Sequence, residues 1–298
     1  MPVSDTFRPP EPGDILRDTT PHPVAGIPGR YHGVIPDAWA IKFAFGGTTM
    51  AAAIRAAGLG LDRPDLRLVT ADSTYCQAIP TGPVAMQVET LRQGRGGAQA
   101  MVRLWALDPD DPDPTGEARS DLVLTAVYGL PHDTIGFQGA EFPVVKEPSE
   151  CRSRPLRDDG PMGVVPYHFQ TEFRAAENMG FWENPEVGPG EARTSSWFRF
   201  LVSPRVDGIW EPSLLAIPGD ILGPAVHSAV GGSHGMFFLV SLQISMQLHH
   251  PARSEWILQH TRAAISHGGY TAGTAELWDE DRTLVATVTQ SARMLPIG

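Results

Sequence analysis

The 298-residue chain has only two cysteines, Cys76 and Cys151, in unrelated sequence settings. They form neither a CxxC pair nor a disulfide framework, which fits a reducing, cytoplasmic environment. Basic residues are also scarce: 23 Lys and Arg against 34 Asp and Glu leave a net charge of −11. Nucleic acids and anionic membranes reward basic patches, and no run of Lys or Arg supplies one. Neither class of partner is expected. Long apolar runs are missing too. No stretch approaches the ~18–20 uninterrupted apolar residues of a membrane span. The N-terminal "MPVSDTFRPPEPGD" has no basic segment followed by an apolar core, so export is not expected.

What is present suits a globular protein: 42% apolar and 19% charged residues, in a chain long enough for one large domain or two ordinary ones. Residues 1–30 carry seven prolines and little periodicity, which predicts an extended or disordered arm. "AFGGTTMAAAIRAAGLG" (44–60) then predicts an alanine-rich helix that follows Gly46-Gly47 and stops at Gly58 and Gly60. Strands are predicted at 66–79, 84–94, 97–107 and 120–130, separated by Pro/Gly turns, with the acidic tract 108–117 as a solvated loop. Residues 131–165 lack either periodicity and form a linker.

The pattern then repeats. Strand candidates at 167–176 and 192–202 precede a helical stretch, 210–232, in which Pro218-Gly219 should kink or end the helix. Strands follow at 235–250, 255–267, 270–280 and 283–295. "LVLTAVYG" (122–129) is echoed by "LVATVTQS" (284–291). Two copies of one helix-plus-sheet unit, residues 31–130 and 166–298, give an α+β architecture with antiparallel sheets.

Within 214–224, "LLAIPGDILGP", a single carboxylate stands among apolar residues. Burying an unpartnered carboxylate costs several kcal/mol or shifts its pKa. Asp220 is therefore either a helix cap or turn residue, or a group placed for chemistry.

The residues resemble the type II acyl-CoA thioesterases, which are double-hotdog proteins. The first half carries "FGGTTMAAAI" and "VETLRQGRGGAQAMVRL"; the second carries "LLAIPGD", "SLQISMQLHHP", "EWIL" and "TLVATVTQ", in the family's order. The resemblance implies two units, each a curved antiparallel sheet wrapped around a central helix. It also implies hydrolysis of an acyl-CoA substrate, with no metal or prosthetic group and coenzyme A entering only as part of the substrate. In the family a helix Asp, a strand Ser or Thr and a Gln of the last strand bind the attacking water. These fall on Asp220, Ser241 and Gln290, which lie 21 and 49 positions apart. The chain departs from the family at Gln243-Ile244, where an Asp-His is usual, at Gln290-Ser291-Ala292, where Gln-Glu-Gly is usual, and at Pro218-Gly219.

A thioester needs a positioned water, a base and an oxyanion donor. Ser241 and Gln290, taken singly, are ordinary strand residues; their joint presence with Asp220 singles them out. Gly46 and Gly47 could offer backbone N–H groups to a carbonyl oxygen or phosphate, or could serve close packing of helix and sheet. Arg92 and Arg95 could attract the phosphates of coenzyme A, or lie on a solvated hairpin. Asp72 is a candidate for a pseudo-symmetric site, or a surface residue. His249-His250 face opposite sides of a strand and have no third ligand at metal spacing, which argues against a metal site. Two other functions compete: a hotdog enoyl-CoA hydratase using Asp220 and His227, and a non-catalytic acyl-CoA or lipid binder. A fused pair of units already forms the sheet that single hotdogs build by pairing, so further homo-oligomers are left open.

Overall fold

The computed structural model describes residues 12–132, 135–156, 164–182, 184, 187–232 and 237–297. The first unit begins with strand β1 (Arg30–Ile35), followed by helix α1 (Gly46–Leu61) and strands β2 (Arg67–Tyr75), β3 (Gly82–Gln93), β4 (Gly97–Ala106) and β5 (Leu122–Gly129). The second opens with β6 (Thr171–Glu177) and β7 (Arg193–Phe200). Two helical segments, α2 (Ala216–Gly219) and α3 (Leu222–Val230), precede β8 (Phe237–Leu248), β9 (Ile257–His267), β10 (Tyr270–Asp279) and β11 (Leu284–Pro296).

The strands join one antiparallel sheet in the order β1-β3-β4-β5-β2-β8-β11-β10-β9-β7-β6, with a two-residue strand at either edge. The first five and the five after them follow the same internal order in mirror image. β2 and β8 meet at the centre, with Thr74 opposite Gln243 and Thr70 opposite Gln247. This is the double-hotdog architecture: two units fused through a shared sheet.

Helix α1 carries a single charged residue, Arg55, and otherwise consists of apolar, small and threonine residues, as suits a central helix. Met50, Ala51, Ala52, Ala53, Ile54, Ala56 and Ala57 are all buried. Sequestering side chains the size of Met50 and Ile54 is worth roughly 1.5–3 kcal/mol each, while the alanines let the sheet come close. The helix does not stop at Gly58 and Gly60. It runs through them to Leu61 and ends on Asp62, which adopts a left-handed conformation (φ 48°). A Cβ on Gly60 would lie 2.7 Å from Val88 Cγ1, so this glycine serves close packing on β3.

One hydrophobic core spans both units, joining Met50 and Ile54 to Ala216, Ile217, Ile244 and Met246. The N-terminal stretch expected as an extended or disordered arm is docked wherever it is described. Asp14 caps a helical turn (Ile15–Asp18), Trp39 Nε1 donates to Asp18 Oδ2 at 2.9 Å, and Gly13 N–H donates to Gln170 Oε1 at 2.7 Å. Residues 1–11 lie outside the described residues. Part of the linker is also anchored: Phe142 packs edge-on against Trp278, and Trp197 Nε1 donates to the Lys146 carbonyl at 2.8 Å.

Candidate active site

A 3-10 turn (Pro212–Leu215) runs directly into α2, so Pro218 lies inside a helical run and leaves it one N–H short just before the run ends. Its carbonyl accepts from the buried Gln259 Nε2 at 2.8 Å, and Gln259 Oε1 in turn accepts from Ser196 Oγ at 2.9 Å. The chain leaves the helix two residues later, at Asp220 (φ −84°, ψ 66°), and resumes helical form at Leu222. The Pro-Gly pair thus ends one helical segment so that Asp220 occupies a break between two, with its side chain bonded to residues of β8 and β11.

Among the described residues three partners hold the carboxylate. Ser241 Oγ donates to Asp220 Oδ1 at 2.9 Å, and Gln290 Nε2 donates to the same oxygen at 2.6 Å. Gly47 N–H, from the first unit, donates to Oδ2 at 3.0 Å. Gln290 Nε2 also donates to Ser241 Oγ at 2.8 Å, while its Oε1 accepts from Leu222 N–H at 3.1 Å. The last bond fixes which end of the amide faces Asp220. A bulge in β8 between Ser241 and Gln243, against β11, brings the serine to the same face as Gln290. Burial pushes the Asp220 carboxyl up to about 6, against the opposing pull of its three hydrogen bonds.

Asp220, Ser241 and Gln290 line a cavity of about 530 Å³. Two clusters of rings form much of its wall. In one, Phe45 lies 4.4 Å from Tyr167, which meets Phe173. In the other, His227 is stacked between Phe237 (4.0 Å, 10°) and Phe181 (5.8 Å, 22°). Among the described residues Arg154 is the cation of the wall, and burial lowers its pKa to about 10. Burial and Arg154 hold His168 well below its ordinary pKa, so it is neutral at physiological pH. Gly46 also lines the cavity at the start of α1, where first-turn N–H groups have no partner inside the helix.

The structure therefore gathers Asp220, Ser241, Gln290, Gly46 and Gly47, and separates the two glycines by role. Gly47 N–H is committed to Asp220, whereas Gly46 lines the cavity. Arg92 and Arg95 are not part of this site. They lie at the end of β3 and in the β3–β4 turn, strands removed from the β2/β8 junction, and neither lines the cavity. Asp72 alternates onto the face opposite Ser73 and Tyr75 and does not line it either. The first unit has a matching bulge between Leu68 and Thr70. Matching the two bulges sets Leu68 against Ser241 and Ala126 against Gln290, so the corresponding place in the first unit lacks both polar groups. Among the described residues no group of three or more His, Cys, Asp or Glu is placed to hold a metal ion.

Residues 35–127 match the family model described as the acyl-CoA thioesterase N-terminal domain, and residues 148–294 match the C-terminal domain. The chain belongs to the acyl-CoA thioesterase family. No curated protein matches its sequence. Among solved structures, a provisionally assigned thioesterase from Novosphingobium aromaticivorans is 26% identical, with 91% of this chain and 97% of that one covered and a TM-score of 0.70. Acyl-CoA thioesterase II TesB2 from Mycobacterium marinum has a TM-score of 0.69 at 17% identity, covering 95% of this chain and 99% of its own. The dehydratase domain of RzxB from Pseudomonas fluorescens shares the fold more loosely, with a TM-score of 0.53, 11% identity and coverage of 90% and 94%. In this thioesterase-family chain, sequence reasoning located the Asp-Ser-Gln cluster. It missed Tyr75, Tyr167 and Gln259, whose only signal was a polar atom at an inward strand or loop position.

Proposed function

We propose that the protein hydrolyses an acyl-CoA thioester to the free acid and coenzyme A, with Asp220 as general base. The supporting observation is the convergence of Ser241 and Gln290 on one carboxylate oxygen of Asp220 at the wall of a cavity. An ionised carboxylate has about four lone-pair sites. Three are taken by Ser241, Gln290 and Gly47, which leaves one to receive a proton from water. The Ser241 hydroxyl oxygen, fixed by its bonds to Asp220 and Gln290, has one lone pair left to accept from that water and hold it beside the base. Asp220 takes its proton as the oxygen attacks the thioester carbonyl, and the Gly46 N–H receives the developing oxyanion. Collapse of the tetrahedral species expels the thiolate of coenzyme A, which takes up the proton.

A base with a pKa of about 6 is largely ionised at neutral pH and still basic enough to accept a proton in the transition state. The aromatic wall suits an apolar acyl group.

Incubation with a panel of acyl-CoAs, with release of free thiol as the readout, tests the reading. Thiol release that disappears in Asp220→Asn is the expected result. Loss of enoyl absorbance without thiol would indicate a hydratase, and binding without either change would indicate a carrier.

A further inference from the structure

Tyr75 ends β2, the strand that the first unit contributes to the central junction. Its hydroxyl donates to the Gly46 carbonyl oxygen at 2.8 Å. That carbonyl belongs to the same peptide group as the Gly47 N–H, which donates to Asp220 Oδ2 at 3.0 Å. A single peptide plane is thus gripped at both ends, by a phenol on its oxygen and by the carboxylate on its N–H. Thr49 Oγ1 adds a second donor to the carbonyl at 2.9 Å.

We propose that Tyr75 is a positioning residue for the reaction: through the Gly46–Gly47 peptide it orients and polarises the N–H that holds the Asp220 carboxylate. The inference rests on the reading of Asp220 as the base. Donation into a carbonyl draws electron density from the amide nitrogen and makes its N–H a stronger donor, an effect of roughly 10–30% per bond in a chain. A stronger donor on Oδ2 favours the ionised carboxylate. It also fixes the plane of the carboxyl group, and with it the direction of the lone pair left for water.

The surroundings make this link matter. The carboxylate is bound by Ser241, Gln290 and Gly47. Among the described residues, the other titratable or charged groups that line the cavity are Tyr167, Arg154 and His168, and His227 from α3. Gly47 is therefore the backbone donor to the base, and Tyr75 governs its strength. Burial and the negative charge of Asp220 hold the Tyr75 phenol well above its ordinary range, so it stays protonated wherever the enzyme works. It acts as a donor and not as an acid in turnover. A Cβ on Gly46 would stand 2.6 Å from Asp220 Oδ2 and 3.3 Å from the Tyr75 hydroxyl, which explains a glycine between the two.

The test compares wild type with Tyr75→Phe and with 3-fluorotyrosine installed at position 75, a more acidic phenol and hence a stronger donor. Asp220 is titrated directly by NMR of protein carrying ¹³C at aspartate carboxyl carbons, its signal assigned by its loss in Asp220→Asn. Tyr75→Phe should raise the midpoint by about half a pH unit, and the fluorinated phenol should lower it. The acid limb of kcat/KM should move with the midpoint, and kcat at pH 6 should fall roughly tenfold in Tyr75→Phe with KM within about twofold. A midpoint that stays put in both variants overturns the proposal, even if Tyr75→Phe is slower or less stable. If Tyr75→Phe does not fold, the fluorinated protein alone decides by the direction of its shift. Wild-type protein that releases no thiol from any acyl-CoA would overturn the hydrolytic reading instead, while the carboxyl titration still decides whether Tyr75 and Asp220 are coupled.

Discussion

The carboxylate of Asp220 lies 3.0 Å from the backbone N–H of Gly47, although 173 residues separate them in the chain. The contact joins the break after α2 to the first turn of α1, so the candidate site is built by both units. The two glycines at that turn are small for different reasons. A Cβ on Gly47 would meet the Ala216 carbonyl oxygen and Ile217 Cα at 2.6 Å, both backbone atoms that cannot swing aside. Gly47→Ala should destabilise the protein by about 1–3 kcal/mol, the usual range for overpacking, and lower Tm by several degrees. A Cβ on Gly46 would instead strike a side-chain oxygen, that of Asp220. Gly46→Ala should cost mainly kcat. Thermal unfolding and thiol release measured on both variants separate the two effects.

General-base catalysis contributes roughly 10²- to 10⁴-fold, so Asp220→Asn should lower kcat by that much with little change in KM. In wild type the base must be ionised, and burial places its pKa at about 6. kcat/KM should therefore be flat above neutrality and fall tenfold per pH unit on the acid side, with the bend near 6. A bend below 5, the ordinary carboxylate range, would show that the titrating group is not Asp220.

The same shift has a consequence for stability. The folded carboxyl binds its proton more tightly than the unfolded chain, whose value is near 3.8. Its contribution is fully present below that value and is lost as pH rises through about 6. Two pKa units correspond to about 3 kcal/mol. Denaturant unfolding of wild type and Asp220→Asn at a series of pH values isolates this term, because any constant offset between them cancels. Stability of the wild type relative to the variant should decline from pH 4 to 7 by an amount on the order of 2–3 kcal/mol.

Much of this architecture is legible in the sequence because it rests on local patterns. An alanine-rich run beside Gly-Gly makes a central helix, and alternating strands between Pro/Gly turns make the sheet. Other features depend on contacts that no local pattern encodes. Gly58 and Gly60 resemble a helix stop, yet the helix continues because Val88 and Tyr128 pack against them. Pro218-Gly219 resembles a defect until Gln259, from β9, is seen to satisfy the Pro218 carbonyl. Arg92 and Arg95 have the right charge for phosphates but sit on a distant hairpin, since sheet order and not sequence order decides which loops surround a cavity. Asp72 shares the strand of Tyr75 but faces the other way, a matter of one residue in a period of two.

His227 provides a sharp discriminator. It lines the cavity, but its ring is stacked between Phe181 and Phe237, and burial holds its pKa below the ordinary value. If its role is to complete a wall of rings, His227→Phe should preserve the stack and retain thiol release within about threefold, as expected for a volume-conserving change. A loss comparable to that of Asp220→Asn would make His227 a participant in proton transfer and favour the hydratase reading.

Gln290→Glu tests the geometry of the cluster most severely. Gln290 meets Asp220 Oδ1 at 2.6 Å through Nε2 and accepts from Leu222 N–H through Oε1. A glutamate can keep the second bond, and its other oxygen then stands where the N–H stood. Two carboxylates at that distance do not both ionise near neutrality, because their repulsion amounts to several kcal/mol even at an effective dielectric constant of about 20. The pair must share a proton, which bridges the two oxygens and occupies the base. The acid limb of kcat/KM should consequently move up by more than one pH unit, with activity that is low at pH 7 and recovers toward pH 9. Gln290→Leu removes the amide without adding a charge, so its activity should be low at both pH values. A glutamate variant whose limb remains near 6 would mean that residue 290 does not face the base in solution.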